Sequence, residues 1–90
     1  MGYLVKFSSK AEKNFKKIPQ FARVKIETAL KSFAENSLGH HDIVRIKGSP
    51  KDIPSYRIRA GEYRASFVIY HNVMIVFVFD VRKKENYEYR

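Results

Sequence analysis

Three arginines, at positions 57, 59 and 64, are the residues of this chain best suited to chemistry on an anion. They lie in the stretch Y-R-I-R-A-G-E-Y-R, which covers residues Tyr56–Arg64. Arginine alternates there with tyrosine, isoleucine and alanine. Such a period of two is typical of a strand with one polar and one buried face.

The two residues after this strand predict a tight turn. Gly61 and Glu62 fit a two-residue type II′ hairpin turn, because glycine at the first central position tolerates a positive φ. In that register Ala60 faces Tyr63, Arg59 faces Arg64 and Arg57 faces Ser66. All three guanidinium groups then project from one face of one hairpin.

Like charges that oppose each other on neighbouring strands are destabilising, so this arrangement needs a reason. One interpretation is a preorganised site for a polyanion, above all phosphate, whose oxygens a guanidinium group binds in bidentate fashion. The other interpretation is a solvated strand face that is basic but binds nothing.

Composition bounds the class of protein. The 90 residues predict one domain, residues 1–90, with a single modest core. They carry 18 Lys and Arg against 9 Asp and Glu, a formal net charge of +9, which predicts attraction to nucleic acid or to an acidic partner. Cysteine is absent, which excludes disulfides and thiolate metal sites and favours a cytoplasmic location. The longest apolar run, Val73–Phe79, is too short to span a bilayer, so no membrane partner is expected.

The N-terminal half predicts a strand and two helices. Residues Tyr3–Phe7 alternate as a short strand, and Ser9 with Glu12 forms a capping-box pattern that predicts the start of a helix. Pro19 ends this helix and opens the next, because its fixed φ suits a first turn. The two helices predict an antiparallel αα-hairpin, and their apolar positions at helical spacing are Ala11, Phe15, Ile18, Ala22, Ile26, Ala29, Leu30 and Phe33.

The C-terminal half predicts strands. The arginine hairpin continues over Tyr63–Tyr70, and Val73–Phe79 is apolar at every position, as expected of a strand buried on both faces. Ile43–Lys47 predicts a possible extra strand. The prediction is an α+β fold in the order β-α-α-β-β-β, with a small antiparallel-dominated sheet, the helical hairpin on one face and the arginines on the other. The predicted core packs Phe67, Ile69, Val76 and Val78 against Phe15, Ile26 and Phe33.

Histidines do not form a recognisable site. His40 and His41 are adjacent in a polar loop, without the spacing of a metal-ligand set, and His71 falls in a predicted turn. All three are interpreted as surface residues. No metal and no other cofactor is expected.

Clustered arginine, lysine and tyrosine suit RNA cleavage. The 2′-hydroxyl of RNA attacks its own phosphodiester, so the enzyme needs only to orient that group, to neutralise charge on the phosphorane and to move protons. Arginine can neutralise charge but is a poor base. Neighbouring cations lower the pKa of a lysine or a tyrosine, which can then move protons, and a tyrosine ring can also stack on a base. The tail Arg82–Arg90 contains both residue types and should emerge beside Arg64 if Tyr63 lies opposite Asp80.

The chain resembles the RelE/ParE superfamily of toxins from type II toxin–antitoxin systems, in its RelE-like branch. The resemblance rests on four segments, Y-L-V-K-F, S-S-K-A-E-K-N-F-K-K-I-P, Y-R-I-R-A-G-E-Y-R-A-S-F-V-I-Y and V-R-K-K-E-N-Y-E-Y. It implies a small sheet with two helices on one face, and cleavage of mRNA in the ribosomal A site without a metal. It also implies a cognate antitoxin as partner, RelB-like and partly disordered, besides the ribosome and mRNA.

The resemblance also implies site residues. The family's basic positions before the turn match Arg57 and Arg59, and the arginine after it matches Arg64. A basic position in the last segment matches Lys84 or Lys83, and the catalytic tyrosine matches Tyr87 or Tyr89. These five positions, with Lys84 and Tyr87 preferred, are the predicted catalytic residues. The further residues predicted to bind RNA are Arg45, Lys47, Lys51, Arg82, Lys83 and Tyr89.

The hairpin alone does not choose between branches of the superfamily. ParE-like members share it, and they inhibit DNA gyrase by binding, without nuclease activity. The tail, with basic residues followed by Tyr87 and Tyr89, favours the ribonuclease. A gyrase inhibitor remains the alternative, followed by a basic binding module that is not toxic.

Overall fold

A computed structural model describes residues 2–35 and 43–83 of the chain. Within these residues the chain forms two helices and five strands. Their bounds are β1 Leu4–Phe7, α1 Ser9–Lys16, α2 Gln20–Glu35, β2 Ile43–Arg45, β3 Ser55–Ala60, β4 Tyr63–Tyr70 and β5 Ile75–Lys83. The predicted element order is therefore confirmed, and the possible extra strand near residue 45 is present as β2.

The strands form one mixed sheet in the order β1-β5-β4-β3-β2. Strand β1 pairs with β5 in parallel, and the other three pairs are antiparallel. A parallel pair needs a long connection, which the two helices and the strands β2 to β4 provide here. The fold is α+β with an antiparallel-dominated sheet, as the sequence predicted.

Both helices cover the same face of the sheet. Helix α1 packs on β5 and β1, while α2 packs on β3, β4 and β1. Phe67 is fully buried under α2, and its ring centroid lies 5.3 Å from that of Phe33. The predicted core is confirmed at Ile26, Val76 and Val78, whereas Phe15 and Ile69 are partly buried at its margin. Neither helix is long and apolar enough to cross a membrane, and no other helix lies in the described ranges.

The start of α1 differs by one residue from the prediction. Ser8, not Ser9, caps the helix: it has extended backbone angles, and its hydroxyl accepts a hydrogen bond from the amide of Ala11 at 3.1 Å. Glu12 is then the fourth helical residue, one beyond the position that a capping box requires. The capping-box pattern therefore selected the wrong one of two adjacent serines, because the cap is made by the hydroxyl of Ser8 alone.

Replacing each serine in turn tests this cap. We expect Ser8→Ala to lower the free energy of unfolding by about 1 kcal/mol, the usual cost of a lost N-cap. The exposed Ser9 is the matched control, and Ser9→Ala should cost much less. Urea denaturation followed by circular dichroism measures both. Equal losses would show that Ser8 does not cap the helix.

Helix α2 begins one residue later than predicted, after Pro19 rather than at it. Helix α2 begins at Gln20, and the carbonyl of Pro19 accepts hydrogen bonds from the amides of Ala22 and Arg23, each at 3.0 Å. Pro19 is thus the residue before the first turn rather than a member of it. Its ring still ends the first helical segment, because proline offers no amide hydrogen.

Strand β5 starts later and runs further than the predicted Val73–Phe79. Residues 71–74 form a turn in which Met74 has a φ of 55° and Val73 is 56% exposed. The strand continues to Lys83, so Tyr63 lies opposite Lys83 and not opposite Asp80. An irregularity between Ser66 and Phe67 shifts the register and keeps the apolar side of both strands on the helices.

The prediction that the last strand is buried on both faces was also wrong. Val76, Val78 and Val81 are buried, whereas Ile75 and Phe77 on the opposite face are half-buried. The reason is that both helices lie on one side of the sheet. The other side, which we call the open face, has no helix on it among the described residues.

Candidate nucleic-acid interface

The arginine hairpin forms as the sequence predicted. Strands β3 and β4 pair with Ala60 opposite Tyr63, Arg59 opposite Arg64 and Arg57 opposite Ser66. Gly61 has a φ of 65°, and Met74 is the one non-glycine residue with a positive φ in the described part of the chain. Positive φ at the first central residue alone is the mark of a type II′ turn.

A third strand extends the line of arginines. Arg82 of β5 lies directly opposite Arg64, which in turn lies opposite Arg59. Neighbouring strands are about 4.8 Å apart, so these three arginines follow one another across the sheet on the same face. We call Arg59, Arg64 and Arg82 the arginine row. The sequence placed Arg82 in a tail that leaves the sheet, and the longer β5 brings it into line instead.

A second row runs beside the first on the open face. It contains Arg57, Ser66 and Asp80, again on β3, β4 and β5. Asp80 joins the two rows, because its Oδ2 accepts a hydrogen bond from Nε of Arg82 at 2.8 Å. We call the two rows together the cationic face, and it carries four arginines and one carboxylate.

The cationic face rests on a row of buried residues on the other side of the sheet. Ile58, Ala65 and Val81 lie opposite one another on the helix side, and each is at most 2% exposed. Each of these residues is a strand neighbour of a member of the arginine row. The backbone that holds the arginines is therefore fixed by the core, which is how donors are preorganised for a charged transition state.

Helix α2 contributes a further cation near the turn. Lys25 is close enough to Gly61 that a Cβ added there would lie 3.5 Å from its Cδ and 3.7 Å from its Nζ. Lys25 was not among the predicted site residues. No local signal could have found it, because α2 and the hairpin are far apart in sequence.

Three of the residues predicted to bind RNA lie away from the arginine row. Arg45 pairs with Tyr56 of β3, and this register puts it on the helix side of the edge strand. Lys47 and Lys51 are exposed in the loop before Ser55, which is about 13 Å along β3 from Arg59. The structure therefore does not bring these three residues together with the predicted catalytic arginines.

Lys83 lies at the end of β5, opposite Tyr63 and on the helix side. Its Nζ is 3.7 Å from Oε1 of Glu62 in the turn, and both side chains are largely exposed. The other predicted positions of the tail, Lys84, Tyr87 and Tyr89, lie outside the described residues, as do His40 and His41.

His71 is exposed in the β4–β5 turn, as predicted, and its Nδ1 is 2.9 Å from the hydroxyl of Tyr3. This contact ties the turn to the start of β1, far from the cationic face. Within residues 2–35 and 43–83, no group of three His, Cys, Asp or Glu side chains could hold a metal ion.

Solved structures share this architecture. No protein-family model and no curated protein matches the sequence. The structure of archaeal RelE in the RelE–RelB complex from Pyrococcus horikoshii OT3 matches with a TM-score of 0.78 and 17% identity, covering 96% of this chain and 99% of that one. The chain has the fold of the RelE toxins. The predicted resemblance is confirmed at this level.

Two further structures with this RelE fold share 25% of their residues with the chain. An arginine-to-alanine double mutant of E. coli RelE, in complex with a RelB peptide, matches with a TM-score of 0.73 over 98% of this chain and 90% of that one. The RelB–RelE complex from Methanococcus jannaschii matches with a TM-score of 0.69 over 92% and 95%. The RelE fold thus accounts for nearly the whole chain.

Proposed function

We propose that the protein is the toxin of a toxin–antitoxin system and that it cleaves mRNA on the ribosome. The arginine row carries this proposal. Arg59, Arg64 and Arg82 present their guanidinium groups in line on a rigid sheet, which suits the closely spaced phosphates of a single RNA strand. The RelE fold and the net charge of +9 support the same function.

The proposed reaction is an intramolecular transfer that needs no metal. The 2′-oxygen of one nucleotide forms a bond to the adjacent phosphorus, while the bond from phosphorus to the 5′-oxygen of the next nucleotide breaks. The proton leaves the 2′-hydroxyl for a base, and an acid donates a proton to the departing 5′-oxygen. The products end in a 2′,3′-cyclic phosphate and a 5′-hydroxyl.

The cationic face would neutralise the negative charge that develops on the phosphorane. Arg64 is central in the arginine row and is the donor proposed to neutralise the phosphorane, while Arg57 and Arg59 bind the phosphates beside it. Arginine is a poor acid or base, so the proton steps are assigned to Lys84 and Tyr87, with Tyr87 also able to stack on a base. Lys83 and Tyr89 remain the alternatives for these two positions.

The remaining predicted contacts would serve binding. Arg82 and Lys83 are proposed to hold RNA next to the site, and Tyr89 is proposed to assist them. The distance of Arg45, Lys47 and Lys51 from the arginine row supports contact with RNA outside the cleaved bond, including that of the ribosome. A protein with these targets works in the cytoplasm.

A RelB-like antitoxin, partly disordered when alone, is the proposed partner. A cleft of about 640 Å³ lies between β1 and α2, with Leu4, Val5, Phe7 and Val24 in its walls. Because β1 is an edge strand, an extended segment could pair with it while apolar side chains fill the cleft. Acidic residues of the same antitoxin would cover the arginines. The three RelE structures compared above are all complexes with RelB or a RelB peptide.

Primer extension on cellular mRNA after a short pulse of expression tests the proposed function. We expect new 5′ ends within coding regions, at fixed positions relative to the reading frame, and a fall in protein synthesis. Intact messages combined with signs of DNA damage would contradict this proposal and favour inhibition of gyrase.

A further inference from the structure

Asp80 is an unexpected residue on the cationic face. It is the one carboxylate in the strands of that face that the structure describes, and its side chain is 17% exposed. Oδ2 binds Nε of Arg82, whereas Oδ1 is buried and has no hydrogen-bond partner among the described residues. Burial of a carboxylate oxygen without a hydrogen-bond partner lowers the stability of the fold. Asp80 is therefore expected to have a function that offsets this loss.

The register between β4 and β5 indicates how Asp80 affects Arg82. Arg82 lies directly opposite Arg64, and two like charges in this position repel each other. An unrestrained arginine would turn its flexible side chain away into solvent. Asp80 precedes Arg82 by two residues on the same strand and face, so its carboxylate lies within hydrogen-bonding distance of the guanidinium group.

We propose that Asp80 is a positioning residue that holds Arg82 in the arginine row as a phosphate-binding group. Asp80 binds the guanidinium group through Nε, so the edge formed by the two Nη groups is the one that would contact a phosphate. Asp80 itself does not act as a base, since Oδ1 is buried and Oδ2 is bonded to Arg82. This inference rests on the proposed function and deepens it, because it names how the site recognises the RNA backbone.

Charge and positioning predict opposite effects, which makes the inference testable. Asp80→Asn removes one negative charge and raises the formal net charge from +9 to +10. If only charge mattered, RNA would bind more tightly. If Asp80 positions Arg82, one phosphate contact is lost. Glu12→Gln is the matched control, since it changes the charge equally, and Glu12 is an exposed residue in the first turn of α1, on the helix side of the sheet.

The experiment measures binding of a single-stranded RNA with 2′-O-methyl groups at every position, which cannot be cleaved, over a series of KCl concentrations. We expect the slope of log K against log salt to become less steep by about 0.7 in Asp80→Asn, the value of one phosphate contact on a single strand. Glu12→Gln should keep the wild-type slope. Arg82→Gln should lose the same contact, and it alters a side chain that is 55% exposed, so folding is not at risk.

Cleavage provides a second reading. We expect Asp80→Asn to lower kcat/KM on the order of 10- to 100-fold, as for a lost charge-assisted hydrogen bond. The double variant Asp80→Asn with Arg82→Gln should be no worse than Arg82→Gln alone, and Asp80→Glu should recover part of the activity. A fully active Asp80→Asn, or one with an unchanged salt slope, would overturn the positioning role.

The two proposals fail in different ways. If the wild-type protein does not cleave RNA, the proposed function is wrong, and the salt slopes still decide whether Asp80 positions Arg82. If the wild type cleaves and Asp80→Asn cleaves equally well, the proposed function stands and the role of Asp80 is wrong. If Asp80→Asn does not fold, Arg82→Gln provides the test. A salt slope in Arg82→Gln equal to that of the wild type would also overturn the inference.

Discussion

Arg64→Ala should abolish toxicity while leaving the fold intact. Arg64 is the central member of the arginine row, between Arg59 and Arg82, and its removal takes away the donor nearest to the developing charge. The loss of one such donor costs on the order of 100- to 1,000-fold in rate. Growth of cells that express the variant and cleavage of ribosome-bound mRNA both measure the effect.

Arg23→Ala is the matched control for this prediction. Arg23 is an arginine of α2, outside the cationic face, and its Nη1 donates a hydrogen bond to the carbonyl of Lys16 at 3.5 Å. We expect this variant to stay toxic. Growth inhibition by Arg64→Ala at the wild-type level, with equal expression, would show that the arginine row is not the site of the reaction.

A chain that ends at Lys83 should fold, bind the antitoxin and fail to cut RNA. Lys83 pairs with Tyr63 and lies near Glu62, so this end point keeps the whole of β5. The lost residues include Lys84 and Tyr87, the proposed acid and base. Their removal should lower the rate by at least roughly 100-fold, the lower range of general acid–base catalysis.

The single variants Lys84→Ala and Tyr87→Ala separate the contributions of the tail. Tyr70→Ala is a control for the aromatic substitution, because Tyr70 is an exposed tyrosine at the far end of β4. Circular dichroism and antitoxin binding report folding. A shortened chain that still cleaves would move the proton steps to other residues, whereas one that is unfolded would show that the tail belongs to the core.

Local patterns in the sequence predicted the hairpin well. Gly61 fixes the turn, and the alternation of arginine with apolar residues fixes which face is polar, so Arg57, Arg59 and Arg64 could be placed without a structure. The two helices could be predicted for the same reason, since the spacing of their apolar residues is a property of each segment alone. The fold class then came from the order of the elements.

Features that depend on contacts between distant segments could not be predicted. The shifted register between β4 and β5 has no local signal, and this shift puts Arg82 opposite Arg64 and Asp80 beside it. Lys25 reaches the turn only because α2 packs on β3. The sequence therefore predicted the centre of the candidate site and named Arg82 as an RNA-binding residue of the tail. It predicted neither the place of Arg82 in the sheet nor its hydrogen bond to Asp80.

The central claim is that the 2′-hydroxyl of the RNA is the nucleophile and that the arginines act on the resulting phosphorane. The most direct test uses purified ribosomes programmed with a message that has a single 2′-deoxy nucleotide on the 5′ side of the cleaved bond. We expect the all-ribose message to be cut, with a 2′,3′-cyclic phosphate at the new end, and the substituted message to stay intact at that bond. Equal cleavage of both messages would show that the 2′-hydroxyl is not the nucleophile.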